Sequence, residues 1–168
     1  MDIVIDTREK QKAIRNILAE FEHRGVRTIS SKLFVGDYMS LDNPRRIIDR
    51  KQNLSELCGN ICQDHVRFRA ELVRAKEHGI QLLILCEHGR GIQALPDVAF
   101  WRNPRGIKRV RQGGRWVELA TKAMQGQTLY KALATMEKKY GCRFLFCEKA
   151  ETGRVILELL SERRQADG

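Results

Sequence analysis

The stretch GDYMSLDNPRRIIDRK, residues 36–51, is the most informative part of the chain about its fold. Its two ends, 36–41 and 46–50, predict two β-strands. The turn-forming sequence Asp42-Asn43-Pro44 lies between them, so the strands are close enough to pair as a hairpin. This stretch therefore predicts an antiparallel strand pair early in the chain.

The same stretch places acidic and basic side chains at strand ends. Asp37 begins the first strand, and Asp49 and Lys51 lie at the end of the second. Residues two apart in a strand share a face, so the side chains of Asp49 and Lys51 point the same way. If the strands pair, Asp37 comes near Asp49, and two carboxylates and an ammonium group converge on one small patch.

Apolar periodicity on either side of this hairpin predicts alternating strands and helices. The further predicted strands are 3–5, 26–30, 81–86 and 143–147, with 81–86 the most apolar and central. The predicted helices are 14–21 ending near Gly25, one from the N-cap Asn53 to Gly79, one capped by Thr128, and 155–160. Over residues 1–168 this order predicts one α/β domain, a mixed central sheet flanked by helices.

Two segments do not follow this pattern. Residues 88–126 hold Arg105, Lys108, Arg109 and Arg111 between two tryptophans, and they predict a long basic excursion from the sheet. Residues 161–168 predict a frayed tail. The excursion has two open interpretations: a DNA contact in which a tryptophan stacks on an unpaired base, or a solvated loop that its tryptophans anchor to the core.

Composition narrows the function classes. The chain has 31 Lys and Arg against 21 Asp and Glu, a formal net charge of +10, and this excess favours a polyanionic partner such as nucleic acid. No long apolar run predicts a membrane span or a signal peptide. The five cysteines lack zinc-site spacing and are expected to be reduced and structural, which suits the cytoplasm.

The predicted patch fits phosphodiester hydrolysis. Oxygen ligands from Asp37 and Asp49 are the kind that hold Mg²⁺ or Mn²⁺, and Lys51 beside the metal would stabilise the anionic transition state. Glu9 or Asp6, which follow the first strand, would complete the metal shell directly or through water. A solvated ion pair between Asp49 and Lys51 stays open as the alternative, since D-x(11)-D-x-K alone is a weak pattern.

Three ordered motifs carry a family resemblance. Ile5-Asp6-Thr7-Arg8-Glu9, Val35-Gly36-Asp37-Tyr38 and Ile47-Ile48-Asp49-Arg50-Lys51 resemble the V-D-x-R-E, G-D-Y and E-R-K motifs of the XPF-type structure-specific endonuclease domain. That domain belongs to the PD-(D/E)XK superfamily and has a restriction-endonuclease-like fold. The resemblance covers about residues 2–90, including the arginine-bearing helix at 64–69. Small stand-alone versions in phages and prophages are the most similar.

The resemblance implies a metal-dependent DNA endonuclease with Asp37 and Asp49 as metal ligands and Lys51 assisting catalysis. It implies Mg²⁺ or Mn²⁺, no organic cofactor, branched or flapped DNA, a homodimer, and DNA repair or recombination in a bacterial or phage-infected cell. The residues that would support the site or contact phosphate are Asp6, Arg8, Glu9, Arg50 and Arg67. Arg69 lies on the same helix, and a local ion pair with Asp64 is the alternative for Arg67.

Two residues depart from the family motifs. Asp49 stands where the family has Glu, which shortens the side chain by one methylene group. Ser55 stands where the family has Asp, with Glu56 beside it. We also expect no counterpart of the family's helix-hairpin-helix domain within residues 1–168. The alternatives therefore remain a weak or inactive nuclease-fold DNA-binding module, and a basic protein that binds RNA or another protein.

Overall fold

The computed structural model describes residues 1–89 and 91–162, which form a six-stranded sheet, five α-helices and a separate two-stranded sheet. The strands are β1 (Asp2–Ile5), β2 (Arg27–Ser30), β3 (Tyr38–Ser40), β4 (Asn43–Lys51), β5 (Gln81–Glu87), β6 (Ile107–Gln112), β7 (Arg115–Ala120) and β8 (Arg143–Cys147). The helices are α1 (Arg15–His23), α2 (Leu54–Cys62), α3 (His65–Glu77), α4 (Gly126–Tyr140) and α5 (Thr152–Ser161). Short 3-10 helices span Leu95–Phe100, Pro104–Gly106 and Lys149–Glu151.

The main sheet has the order β2-β1-β3-β4-β5-β8 and is mixed. The pairs β1–β2, β4–β5 and β5–β8 are parallel, whereas β3 is antiparallel to both β1 and β4. The predicted fold class, a mixed sheet flanked by helices, is confirmed. The apolar strand β5 is interior, as expected for such a run, although it lies second from the sheet edge rather than at the centre.

Each face of the sheet carries its own hydrophobic core. Ile47 of β4 packs with residues of α2, α3 and α4 on one face, including Leu57, Phe68 and Leu133. Ile48 packs on the other face with residues of α1 and α5, including Phe21 and Ile156. Because successive side chains of a strand alternate between faces, Asp49 and Lys51 share the face of Ile47, and Arg50 shares the face of Ile48.

The predicted single helix from Asn53 to Gly79 is wrong, because the structure has two helices there. The backbone amides of Gln63 and Asp64 both bond to the carbonyl of Gly59, which ends α2, and α3 begins at His65. The buried Leu54 and Leu72 are 18 residues apart, five whole turns, so the apolar period continues across the break. Hydrophobic periodicity therefore could not detect it.

The basic excursion is more ordered than expected. It contains the antiparallel pair β6–β7, joined by Gly113 and Gly114, both with positive φ. These glycines form the two-residue turn that suits a β-hairpin. Basic residues occupy four of the twelve strand positions and interrupt the apolar alternation in the sequence.

Smaller differences concern element ends. The turn before β4 lies at Leu41-Asp42, and Asn43 already belongs to the strand. Helix α4 begins at Gly126 with Gln125 as N-cap, so Thr128 lies inside the helix. Of the predicted tail, Ser161 ends α5, and residues 163–168 lie outside the described residues. In the part of the chain that the structure describes, no helix is long and apolar enough to cross a membrane.

Candidate active site

Three strand ends meet at one edge of the main sheet. Strand β3 is antiparallel to β1 and β4, so its beginning lies beside the ends of both neighbours. The amide of Asp6, just after β1, donates to the carbonyl of Asp37 at 2.8 Å, and the amide of Asp37 donates to the carbonyl of Ile48 at 2.7 Å. The backbone thus brings Asp6, Asp37 and Asp49 together from three separate segments, as the sequence predicts for the last two.

Gly36 sets the backbone direction into Asp37. Its φ of +65° lies in the left-handed region that favours glycine. A Cβ atom there would lie 2.6 Å from Cγ2 of Ile47 and 2.9 Å from the carbonyl oxygen of Ile48, so only glycine fits. The Gly36 amide donates to Oε1 of Glu71 on α3 at 2.9 Å. Glu71 therefore helps to hold this loop, a role that no motif in the sequence predicts.

Asp37 holds its carboxyl group in an environment that disfavours negative charge. Burial, with the neighbouring carboxylates of Asp49 and Glu9, raises the pKa of Asp37 well above its usual value. Its Oδ2 accepts one hydrogen bond, from the amide of Arg50 at 2.7 Å. Lys51 acts in the opposite direction but does not offset the burial. A bound cation would relieve this repulsion.

Asp49 and Lys51 form a buried ion pair on the sheet face of α2 and α3. The Nζ atom of Lys51 donates to Oδ1 of Asp49 at 2.9 Å, and the two residues are 9% and 3% exposed. The same Nζ lies 5.5 Å from the ring centroid of Phe68. Burial opposes the charged form of Lys51, but Asp49 and Asp37 outweigh it and raise the pKa of Lys51. The lysine is therefore cationic at neutral pH.

The second oxygen of Asp49 is the feature that suggests a metal. Oδ2 is buried and has no hydrogen-bond partner, and a buried carboxylate oxygen without a partner is costly. Beside it lies Asp37, destabilised by like charge. These two carboxylates fit a hard divalent cation that keeps several waters. Among residues 1–89 and 91–162, no group of three or more His, Cys, Asp or Glu side chains could hold a metal, so protein ligands would be few.

The other face of β4 carries a buried charge network. Nε of Arg50 donates to Oε2 of Glu9 at 2.8 Å, and its NH1 lies 3.3 Å from Oε1 of Glu87. The Tyr38 hydroxyl also donates to Oε2 of Glu9, at 2.8 Å. Glu9 is thus held by Arg50 and Tyr38. The predicted phosphate contact of Arg50 would require these buried ion pairs to open.

Asp6 and Arg8 shape the loop after β1. Oδ1 of Asp6 accepts from the amide and the Nε of Arg8, at 2.8 and 2.6 Å, and Oδ2 accepts from the amide of Leu33 at 2.6 Å. Both oxygens of Asp6 are therefore engaged, and its pKa is lowered, because these hydrogen bonds outweigh burial. The position of Asp6 is that of a loop anchor. Arg8 is exposed, and the charge of Asp37 contributes to raising its pKa.

The predicted DNA contacts on α3 lie on different sides of the helix. Arg67 and Arg69 are both exposed. Arg67 is one turn before Glu71, whose carboxylate reaches Gly36, so Arg67 lies on the helix side that faces the loop. Arg69 is turned away by about 200°. Within the described residues, Arg67 forms no salt bridge with Asp64.

Ser55 lies in the first turn of α2, and the start of this helix is capped by neighbouring side chains. Asn53 accepts from the amide of Glu56 at 2.8 Å, and Oε2 of Glu56 accepts from the amide of Gln52 at 2.7 Å. These two hydrogen bonds cap the start of α2. Glu56 also adds to the negative potential at Lys51, so the acidic charge near this helix start is retained.

The fold and the strand-end residues define the restriction-endonuclease-like class of nuclease domains. A sequence model of the ERCC4 domain matches residues 5–159. This match covers most of the chain and includes all three motifs, so the chain belongs to the ERCC4 domain family, which contains the XPF-type nucleases.

Solved structures agree with the family assignment. XPF from Aeropyrum pernix is 25% identical, with a TM-score of 0.65 over 99% of this chain and 68% of the other. XPF from Aeropyrum pernix in complex with DNA is 26% identical, with a TM-score of 0.61 over 95% of this chain and 62% of the other. This chain therefore spans about two thirds of the length of those proteins. No curated protein matches it significantly.

Proposed function

We propose that this protein is a metal-dependent DNA endonuclease that hydrolyses phosphodiester bonds at the patch of Asp37, Asp49 and Lys51. The single observation that carries the proposal is the buried Oδ2 of Asp49, which has no hydrogen-bond partner and lies near Asp37, whose pKa is raised by burial and by neighbouring carboxylates. Membership of the ERCC4 domain family supports the reaction class. Two carboxylates and a lysine at adjoining strand ends supply the groups that phosphodiester hydrolysis requires.

The metal would be Mg²⁺ or Mn²⁺, held by Asp49 through Oδ2 and by Asp37. When bound, it would lower the pKa of a water molecule and withdraw charge from the scissile phosphate. Lys51 keeps Oδ1 of Asp49 in place through the 2.9 Å hydrogen bond. Its ammonium group, cationic and largely buried, stabilises the charge that develops on the phosphate more strongly than it would in water.

The residues behind the patch fix its geometry. Arg50 donates its backbone amide to Oδ2 of Asp37, while its side chain is locked on the opposite face by Glu9 and Glu87. This arrangement ties the orientation of Asp37 to a rigid part of β4. Glu9 contributes to the raised pKa of Asp37 and so favours cation binding nearby. Arg50 and Glu9 therefore act as positioning residues.

Branched or flapped DNA is the substrate class that we propose, on the basis of the resemblance to XPF-type nucleases. The XPF of Aeropyrum pernix was solved with DNA bound, which supports DNA as the partner of this fold. The net charge of +10 and the exposed Arg67 fit a polyanion. A homodimer, a role in DNA repair or recombination, and a bacterial or phage-infected cytoplasm belong to the same proposal and have the same basis.

The test is cleavage of labelled duplex, flap, fork and four-way-junction DNA, with Mg²⁺, Mn²⁺ or chelator. The wild type is compared with Asp37→Asn and Lys51→Met. Asp42→Asn and Lys10→Met are matched controls, because they make the same changes at exposed positions. We expect cleavage to fall by a factor of about 100 or more in both site variants and to persist in the controls.

The alternative is a DNA-binding module with little or no nuclease activity. The shorter Asp49 and the lack of a third acidic ligand among the described residues favour this alternative. It predicts binding of DNA with strong salt dependence but no cleavage in either metal. That outcome would overturn the proposed reaction, whereas metal-dependent cleavage lost in both site variants would exclude the module.

A further inference from the structure

The hairpin β6–β7 is built as a separate two-stranded unit. Its strands pair from Ile107 with Ala120 to Gln112 with Arg115, and a two-glycine turn closes it. Its base is fixed: the amide of Thr121 donates to the carbonyl of Gly106 at 2.9 Å, and Nδ2 of Asn103 donates to the carbonyl of Met124 at 2.8 Å. The hairpin is therefore a defined surface rather than a loose loop.

The two faces of the hairpin differ in burial. Val110, Val117 and Leu119 lie on one face and are half-buried. The other face, here called the outer face, consists of Ile107, Arg109, Arg111, Trp116, Glu118 and Ala120. All six are exposed, with Trp116 at 65%. Trp101, the other tryptophan, is 9% exposed and belongs to the core. The exposed indole shares this face with the exposed Ile107 and two arginines, so the outer face is a combined apolar and basic surface.

The arginines around Trp116 favour a negatively charged partner. Arg111 lies directly opposite Trp116 in the ladder, so their Cβ atoms are about 5 Å apart. Arg109 is on the same face, two positions along, and its Nε lies 3.9 Å from Oε1 of the exposed Glu118 opposite it. Arginine side chains beside a planar aromatic ring are the groups that bind single-stranded nucleic acid, which offers both phosphates and unstacked bases. A protein partner would need acidic groups arranged around an apolar pocket, whereas any single-stranded nucleic acid carries both phosphates and bases.

The base of the hairpin lies close to α2, the helix that follows Lys51 in the chain. Asn103 packs against Cys58 of α2, and a cavity of about 180 Å³ is lined by Ser55 and Cys58 from α2 and by Arg105 and Lys122 from the hairpin base. Helix α2 follows Lys51 directly and covers the sheet face that carries Asp49 and Lys51. The hairpin therefore leaves the domain on the same side as the catalytic pair.

We propose that the outer face of the hairpin binds the unpaired strand of a branched DNA substrate, with Trp116 stacking on a base and Arg109 and Arg111 contacting adjacent phosphates. This proposal rests on the proposed function, since it assigns recognition of the unpaired strand to a surface outside the cleavage site. Duplex DNA, whose bases are stacked and paired, gains nothing from Trp116. The hairpin thus favours substrates that contain a single-stranded segment.

The first experiment measures binding of a fluorescent oligo(dT) and of a duplex, by anisotropy in chelator so that nothing is cut. Trp116→Leu keeps an apolar side chain without an aromatic face, and Trp116→Phe keeps a smaller aromatic face. We expect Trp116→Leu to weaken oligo(dT) binding about tenfold and to leave duplex binding within about twofold, while Trp116→Phe retains most of the affinity.

A second readout uses the tryptophans themselves. Oligo(dT) should quench the emission of the exposed Trp116 and leave that of the buried Trp101, so quenching disappears in Trp116→Phe. Arg111→Gln should reduce the slope of log K against log salt for oligo(dT) by about 0.7. Arg15→Gln is the matched control, since Arg15 is exposed on α1, which packs against the other sheet face.

The outcomes separate this proposal from the proposed function. If the wild type cleaves branched DNA but Trp116→Leu binds oligo(dT) as tightly as the wild type does, the hairpin proposal is wrong and the nuclease stands. If the wild type binds no DNA at all, both are wrong. If Trp116→Leu changes only the sedimentation of the protein, the outer face is a contact between copies of the chain, and the hairpin proposal is again overturned.

Discussion

Asp37 lies in an environment that disfavours its negative charge. The residue is half-buried, its carboxyl group lies near Asp49 and Glu9, and it accepts a hydrogen bond from the Arg50 amide. Such strain at a site is maintained only where surrounding structure fixes it, and here Gly36, Ile48 and Arg50 fix the backbone on both sides. A cation bound at the proposed site would relieve this strain.

Asp37→Asn is expected to stabilise the metal-free protein. The pKa of Asp37 is higher in the folded protein than in the unfolded chain, so the folded state binds more protons between the two values, and stability falls as pH rises through that window. Asparagine removes this loss and can still accept from the Arg50 amide. At neutral pH we expect a higher midpoint of thermal unfolding, by about 2–4 °C per kcal/mol gained.

With added Mn²⁺, the wild type should become more stable than Asp37→Asn. Metal at about 100 times its dissociation constant stabilises a protein by about 2.7 kcal/mol, and Asp37→Asn should lose most of that gain. Thermal unfolding with and without Mn²⁺, with Asp42→Asn as control, measures both effects. A metal-free Asp37→Asn protein less stable than the wild type would contradict the assignment of strain to this carboxylate.

Lys51 and Asp49 should depend on each other for stability. Lys51→Met leaves the carboxylate of Asp49 buried without its partner, and breaking a buried pair in this way costs about 3–5 kcal/mol. The double variant Lys51→Met with Asp49→Leu removes both charges and should recover much of the loss. Urea unfolding of Lys51→Met, of Asp49→Leu and of the double variant, each compared with the wild type, forms a double-mutant cycle. Additive effects would show that the interaction between the two side chains contributes little to stability.

At the scale of elements, the site depends on how β3 is entered. Gly36 lies where β3, β4 and α3 meet, and both its φ and the close approach of Ile47 and Ile48 require glycine. The chain can turn into β3 only if Gly36 stays packed closely against Ile47 and Ile48. The hydrogen bond from the Gly36 amide to Glu71 then couples α3 to the same loop.

Gly36→Ala should destabilise the protein far more than Gly25→Ala. Both glycines have φ near +65°, so in both variants a left-handed alanine costs about 1–2 kcal/mol. Gly25 has no atom within 4 Å of an added Cβ, whereas at Gly36 the overlap should add about 1–3 kcal/mol. Urea unfolding compares the two variants. Equal losses would mean that the loop can move away without disturbing β4.

At the scale of the whole molecule, charge governs the first encounter with DNA. Exposed lysines and arginines on α3 and the hairpin contribute a large part of the net charge of +10. Buried cations such as Arg50 and Lys51 are held by carboxylates and add little to this outer field. Binding to duplex DNA should therefore be electrostatic and largely independent of sequence.

Duplex affinity should fall steeply with salt. Neutralising about four phosphates gives a slope of about −3.6 for log K against log salt, or roughly a 100-fold loss between 50 and 200 mM. Anisotropy titrations on two unrelated duplex sequences measure the slope and the sequence dependence together. A slope near zero would mean that the basic surface does not meet the phosphate backbone.

Much of the fold and of the catalytic patch could be predicted from local sequence. The alternation of strands and helices, and the placement of Asp37, Asp49 and Lys51 at strand ends, follow from hydrophobic period and turn residues, which act over a few positions. The break between α2 and α3 could not be predicted in this way, because Leu54 and Leu72 remain in phase across it. The β6–β7 hairpin could not be predicted either, because its arginines mask the alternation.

Local sequence was sufficient for the family, the sheet type and the placement of Asp37, Asp49 and Lys51 at strand ends, because ordered motifs and side-chain period are local properties of the chain. Tertiary packing was needed to establish which charged groups are free to act. It paired Arg50 with Glu9 and Glu87, engaged both oxygens of Asp6, and left one oxygen of Asp49 without a partner. It also buried Trp101 and exposed Trp116. These outcomes depend on burial and on contacts between distant segments, which no short stretch of sequence encodes.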